Sequence, residues 1–169
     1  MTYIYEEHPV HKRVYTTLWA CPRQLTKGWG CPTILERMYE FLGERPDAYF
    51  GLTDGIDDPD ADTIDINPEN NPKIVADWNS LPFRDGHYGF SFWDPPYDKR
   101  YDKGLREIAR VTRRRLAILH QLIYPQKGLL DEWQKFAIIA VTTGPNMRIR
   151  ALQIYDKIQP LSDFTEVAP

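Results

Sequence analysis

The stretch from residue 63 to residue 97, TIDINPENNPKIVADWNSLPFRDGHYGFSFWDPPY, decides the fold because three short apolar runs in it each end in an acid. The acids are Asp65, Asp77 and Asp94, and each run has the length of a strand rather than of a helix. Two prolines follow the last run; they donate no backbone hydrogen bond and fix φ, so they end that strand in a stiff corner. The carboxyl ends of parallel strands meet at one edge of a sheet, which predicts a ligand site formed by the three carboxylates.

The remainder of the chain alternates between helical and strand patterns, which favours an α/β fold with a mostly parallel sheet. Apolar residues at helical spacing predict helices over 33–42, where Thr33 is the cap and Gly43 the stop, and over 102–115. The stretch 128–136 predicts a short helix, and residues 1–31 are expected to be a lead-in with little periodic structure. Strands are predicted at 47–52, 63–68, 73–78, 88–94, 116–125, 137–144 and 148–157.

The bulk composition is that of one ordinary globular domain. The chain has 169 residues, 42% of them hydrophobic and 27% charged, with a net charge of −3, so any surface for nucleic acid must be local. No apolar run approaches the ~18 residues of a membrane helix, and the N-terminus lacks the layout of a signal peptide. We therefore expect a cytoplasmic protein with no membrane partner and a single domain over 1–169, divided into lead-in 1–31, core 32–157 and tail 158–169.

From about residue 31 to residue 157 the order of these features resembles the class I S-adenosylmethionine-dependent methyltransferases, in particular the amino-methylating group with a D/N/S-P-P-Y corner. The segment 63–97 is similar to the second, third and fourth strands of that family, and 137–157 to its terminal antiparallel strand pair. The resemblance implies a Rossmann-like sheet of the seven-strand type and S-adenosyl-L-methionine as the cofactor.

The resemblance also implies which residues bind that cofactor. Asp65 would accept hydrogen bonds from the ribose hydroxyls, Ile66 and Trp78 would flank the adenine, and Asp77 would bond its amine. The first motif of the family, a glycine-rich loop, corresponds to Phe50, Gly51 and Gly55 in YFGLTDG.

The corner itself would hold the substrate. Asp94 and the Pro95 carbonyl would accept the hydrogens of an exocyclic amine, which localises the nitrogen lone pair, and Pro96 would keep the corner stiff. Tyr97 would stack on the target ring, which must be flipped out if it comes from a duplex. Catalysis would then consist mostly of positioning and electrostatics.

The chain departs from the family pattern between its first two core strands. Only seven residues separate Gly55 from Thr63, which is too short for the usual helix of about three turns. Two readings therefore stay open: an active enzyme with a rebuilt cofactor wall, and a non-catalytic binding homologue with a degenerate cofactor site.

The expected substrate is a nucleobase amine, with adenine N6 in DNA preferred over an amine in RNA. Lys99, Arg100 and Lys103 follow the corner and are the candidates for contacts to the nucleic-acid backbone. The arginines at 110 and 113–115 are expected to end the second helix, where cations suit the helix dipole. No separate target-recognition domain fits in this length, so we expect a short target context or help from a homo-oligomer.

Metal binding is the weaker alternative. His8, His11, Cys21 and Cys31 are residue types that zinc accepts, but the spacing is loose and there is no C-x2-C pair. The acidic run over 57–62 lacks the spacing of a calcium loop and is better explained as a solvated loop. We therefore predict no metal site.

Overall fold

The computed structural model describes residues 4–6, 14–21, 32–51, 56, 58–95, 101–121, 128, 130–143 and 149–158. Two α-helices, α1 (Pro32–Leu42) and α2 (Asp102–Val111), accompany a 3₁₀ helix at Pro68–Asn70. The strands are β1 (Ile4–Glu6), β2 (Val14–Cys21), β3 (Ala48–Phe50), β4 (Asp62–Asp65), β5 (Ile74–Val75), β6 (Tyr88–Trp93), β7 (Thr112–His120), β8 (Trp133–Thr143) and β9 (Ile149–Lys157).

These strands form one sheet in the order β1-β2-β8-β9-β7-β6-β3-β4-β5. β3 pairs in parallel with β4 and with β6, and β6 pairs in parallel with β7. β9 lies antiparallel between β7 and β8. The predicted α/β class, with a mostly parallel sheet and a terminal antiparallel pair, is confirmed.

Of the two described α-helices, one packs on each face of the sheet. Side chains on a strand alternate between the two faces, so one strand contributes to both apolar clusters. In β7, Ala117 and Leu119 pack in the same apolar cluster as α1, whereas Leu116 and Ile118 pack in the cluster of α2. All four side chains are fully buried. This two-sided burial explains why residues 116–119 of β7 are apolar without alternation.

The first helix confirms its predicted stop. Gly43 has a φ of +70°, in the left-handed region that glycine adopts without strain, and its N–H donates to the Tyr39 carbonyl. The helix begins at Pro32, one residue before the predicted Thr33 cap.

The expectation of a lead-in with little periodic structure over 1–31 is wrong for its described parts. β2 pairs in parallel with β8 over seven residues, and β1 adds an antiparallel strand outside it. In β2, Trp19 and Cys21 are buried beneath α1, whereas Leu18 is exposed. The buried face of this strand is created by a helix that follows it in the chain.

The structure corrects two helix predictions. The second helix ends at Val111, so Arg113, Arg114 and Arg115 lie in β7 and not at a helix C-terminus. Glu44 forms ion pairs with Arg114 and Arg115, and Asp156 forms a second one with Arg115. The helix predicted over 128–136 is also wrong, because β8 begins at Trp133 after a turn.

Candidate active site

The site predicted from the sequence lies where β4, β3 and β6 end side by side. Phe50 pairs with Ile64 on one side and with Trp93 on the other, so the next residues, Asp65, Gly51 and Asp94, lie at the same level. Neighbouring strands are about 4.8 Å apart, which places the two acids about 10 Å from each other across Gly51.

Asp65 is buried, with 3% of its surface exposed, and both of its carboxylate oxygens accept hydrogen bonds. The backbone N–H of Asn67 donates to Oδ1 and the Nδ2 of Asn70 donates to Oδ2, each at 2.9 Å. Ile66, the next residue, is 53% exposed, and Val75, which pairs with Asp65 on the edge strand β5, is 58% exposed. A carboxylate beside exposed apolar side chains can bind a polar sugar and an adjoining flat ring.

Asp94 and Pro95 are both buried at the end of β6. The N–H of Asp94 donates to the Phe50 carbonyl at 3.0 Å, which continues the pairing of β6 with β3. Gly51 has a φ of +76°, and a Cβ at this position would lie 2.7 Å from the Asp94 carbonyl oxygen. Only glycine therefore fits at position 51, next to the Asp94 carbonyl.

Trp78 forms a wall of the crevice beside these strand ends. Its ring is 3.4 Å from the Cβ position of Gly51 and 2.9 Å from that of Gly104 in α2, and it meets Tyr101 edge-on. Only 9% of Trp78 is exposed. Gly104 was missed in the sequence because a glycine inside a predicted helix does not indicate what packs against it.

The other predicted site residues lie in different surroundings. Asp77 is exposed two residues after β5 and accepts the backbone N–H and the side-chain amide of Asn79. Phe50 is fully buried in the core against Tyr88, so it supports β3 and does not line the crevice. Lys103 is exposed in the first turn of α2. Gly55, Pro96, Tyr97, Lys99 and Arg100 lie outside the described residues.

The connection between β3 and β4 is a loop at its described residues, 56 and 58–61, as the short spacing predicted. The ammonium of Lys73 donates to three carbonyls of this loop, those of Asp58, Pro59 and Ala61. Asp58 also accepts from the Tyr49 hydroxyl. Burial, followed by hydrogen bonding with Tyr39, raises the pKa of Tyr49 above its ordinary value of 10.0, so this hydroxyl remains a neutral donor.

Arg110, Arg114 and Arg115 form ion pairs at the opposite edge of the sheet. Arg110 donates to both carboxylate oxygens of Glu107 and also pairs with Asp85. Hydrogen bonding to Glu107 raises the pKa of Arg110 further above its already high value. A cavity of about 420 Å³ lies at this edge, lined in part by Arg106, Arg110 and Trp133, but it includes none of the predicted site residues.

The described residues contain neither a metal-binding cluster nor a membrane-spanning helix. Of these residues, no three or more His, Cys, Asp or Glu side chains are grouped to hold a metal ion. Cys21 is buried, and His8, His11 and Cys31 lie outside the described residues. Within the same part of the chain, no helix has the length and apolarity needed to cross a membrane.

The described residues fit the nucleoside half of S-adenosyl-L-methionine. A carboxylate oxygen can accept more than one hydrogen bond, so Asp65 retains acceptor capacity for ribose hydroxyls beyond its two internal donors. Ile66 supplies an exposed apolar surface for the adenine. Asp77, to which the resemblance assigns the adenine amine, is exposed two residues after β5.

No family model and no curated protein matches the sequence. Among solved structures, the PH0226 protein from Pyrococcus horikoshii OT3 is similar, with a TM-score of 0.54 and 11% identity over 74% of this chain and 88% of that one. A SAM-dependent methyltransferase from Thermotoga maritima, described as a possible histamine N-methyltransferase, gives a TM-score of 0.44 at 10% identity, covering 73% and 87%. A SAM-dependent methyltransferase from Aquifex aeolicus gives 0.41 at 15% identity, covering 85% and 82%. At these identities the similarity extends to the fold alone: the chain has the α/β, Rossmann-like sheet predicted for it.

Proposed function

We propose that this chain transfers a methyl group from S-adenosyl-L-methionine to an exocyclic amino group of a nucleobase, adenine N6 in DNA. One observation carries the proposal: two buried carboxylates, Asp65 and Asp94, flank Gly51 at the carboxyl ends of parallel strands. Buried acids are costly and are concentrated at functional sites. In parallel α/β sheets this edge is where ligands bind.

Asp65, Ile66, Asp77 and Trp78 would hold the nucleoside half of the cofactor in the roles that their chemistry allows. Asp65 accepts the ribose hydroxyls, Asp77 accepts the adenine amine, and the two apolar side chains border the ring. When bound, S-adenosyl-L-methionine supplies a methyl group activated by its sulfonium charge.

The corner would hold the target amine. The Asp94 carboxylate and the Pro95 carbonyl accept its two hydrogens, which localises a lone pair otherwise delocalised into the base. The nitrogen that takes the methyl group must lose a proton, and the Asp94 carboxylate would accept it. Tyr97, in the role implied by the corner motif, stacks on the base.

Nucleic acid is proposed as the substrate because the corner motif is accompanied by cations. Lys103 is exposed at the start of α2, directly after the corner in the chain, and Lys99 and Arg100 precede it. Such side chains contact phosphates without reading sequence. We therefore expect weak sequence selectivity, and an amine in RNA is the closest competing substrate.

A second candidate function is a non-catalytic nucleic-acid or partner-binding homologue. Two observations favour it: the described loop between β3 and β4 contains no helix, and the Trp78 ring fills the space between Gly51 and Gly104. A site narrowed in this way could retain the fold without turnover.

The test is transfer of labelled methyl from S-adenosyl-L-methionine to pools of DNA, RNA and protein, with mass spectrometry of the digested product. We expect N6-methyladenine in DNA with the wild type. Asp94→Ala should lower the rate about 100-fold or more, because one of the two amine acceptors is removed. Its affinity for the cofactor by calorimetry should stay within about threefold, since that side chain does not hold the nucleoside in this proposal.

Asp60→Ala is the matched control, because Asp60 is an exposed acid of the β3–β4 loop. It should retain wild-type transfer. Full activity of Asp94→Ala would overturn the mechanism. Absence of cofactor binding by the wild type would favour the non-catalytic candidate. Labelled methyl found in RNA or protein instead of DNA would show that the proposed substrate is wrong.

A further inference from the structure

The segment after β4 holds Asp65 with two donors that differ in kind. The donor to Oδ1 is the backbone N–H of Asn67, which almost any residue could provide. The donor to Oδ2 is the side-chain amide of Asn70, which depends on the residue at that position. The carboxylate orientation therefore depends on one replaceable side chain.

Asn70 is held in place independently of Asp65. It is the last residue of the 3₁₀ helix, whose N-cap Asn67 accepts the Glu69 N–H at 3.0 Å. Asn71 follows with a φ of 50°, and its N–H donates to the Pro68 carbonyl at 3.0 Å. Capped at both ends, this short helix presents the Asn70 amide to Asp65 as a fixed donor.

We infer that Asn70 is a positioning residue that makes Asp65 selective for a nucleoside with free ribose hydroxyls. This inference rests on the proposed function. With one internal donor on each oxygen, the plane of the carboxylate is fixed and each oxygen can accept one more hydrogen bond. A ribose diol carries two hydroxyl donors, which matches that remaining capacity.

The same arrangement disfavours a phosphorylated ribose. Among the described residues, no Lys or Arg forms an ion pair with Asp65. A phosphate on the ribose would bring negative charge to a buried carboxylate that forms no ion pair with a described Lys or Arg. We therefore expect the site to take adenosyl ligands and to reject nucleotides phosphorylated at the ribose hydroxyls.

The experiment measures the affinity of the full chain for S-adenosylhomocysteine and for its 2′-deoxy analogue by calorimetry. Asn70→Ala should weaken binding of S-adenosylhomocysteine roughly tenfold, because a hydrogen bond to a charged group is lost. The analogue should lose no more than about twofold, since one hydroxyl that needs the oriented carboxylate is absent. Glu69→Ala is the matched control: it truncates an exposed side chain of the same short helix but retains the cap and both donors to Asp65, and should leave the ratio of the two affinities unchanged.

The possible results separate the inference from the function on which it rests. If the wild type binds neither ligand, the proposed function fails. If the wild type binds but Asn70→Ala matches it, or weakens both ligands equally, Asn70 does not act through the ribose and the inference is overturned. The affinity ratio is independent of the fraction of folded protein, so it remains decisive even if the variant is less stable.

Discussion

Gly51 provides the sharpest test of how the strand ends fit together. Replacing it by alanine has two costs: a φ of +76°, and a Cβ only 2.7 Å from the backbone oxygen of Asp94. The left-handed conformation costs an L-residue about 1–2 kcal/mol. A contact that forces backbone to shift adds about 1–3 kcal/mol of overpacking. We therefore expect Gly51→Ala to lower the free energy of unfolding by about 2–5 kcal/mol.

Gly43→Ala separates the two costs. Gly43 has a nearly equal φ of +70°, but nothing lies within 4 Å of its Cβ position. It should therefore lose only the conformational part, about 1–2 kcal/mol. The assay is equilibrium unfolding in urea, followed by circular dichroism, with the midpoint and slope fitted for both variants. Equal losses for the two would refute the close approach of β3 to the Asp94 carbonyl.

Three further perturbations test the framework around the site. Hydrogen bonding from Arg114 lowers the pKa of Glu44 below its ordinary 4.5, so Glu44→Gln should cost about 1 kcal/mol at pH 7 in urea titrations, and this cost should fade as pH drops below that value. Thr112→Val should lower stability by about 1–3 kcal/mol by the same method, because the buried hydroxyl bonds both Ser91 and a helix carbonyl; an unchanged midpoint would contradict those bonds. Lys73→Met should cost about 1–3 kcal/mol and increase amide hydrogen exchange in residues 58–61, whereas unaltered exchange would rule out the ammonium as their anchor.

Local sequence patterns could predict those parts of the fold in which an element's own residues indicate which side chains are buried. Helix α1 shows a clear helical stripe and a glycine stop, β6 is buried throughout, and residues 116–119 of β7 are all apolar because helices cover the sheet on both faces. The strand ends at Asp65 and Asp94 were visible for the same reason, since each acid interrupts an apolar run. Here local preference and tertiary environment agree.

The parts that were missed depend on partners far away in the sequence. β2 is a strand because it pairs with β8, more than 100 residues later. Thr112–Arg115 continued a helical pattern, yet Arg115 lies in β7, where Asp156 and Glu44 bind its guanidinium. Arginine has a good helix propensity, but it is a weak preference that such tertiary contacts override.

The helix that is missing between β3 and β4 raised the doubt about cofactor binding. The two hydrogen bonds that orient Asp65 come from residues 67 and 70, on the far side of β4 from the shortened loop. The loop itself is tied down by Lys73, whose backbone N–H also bonds Thr63 at the start of that strand. Among the described residues, neither donor to Asp65 comes from the shortened loop, so the orientation of the proposed ribose-binding carboxylate does not depend on that loop. In the proposed function the shortening therefore bears on the wall that would face the methionine half of the cofactor, and the nucleoside half is where binding energy should be sought first.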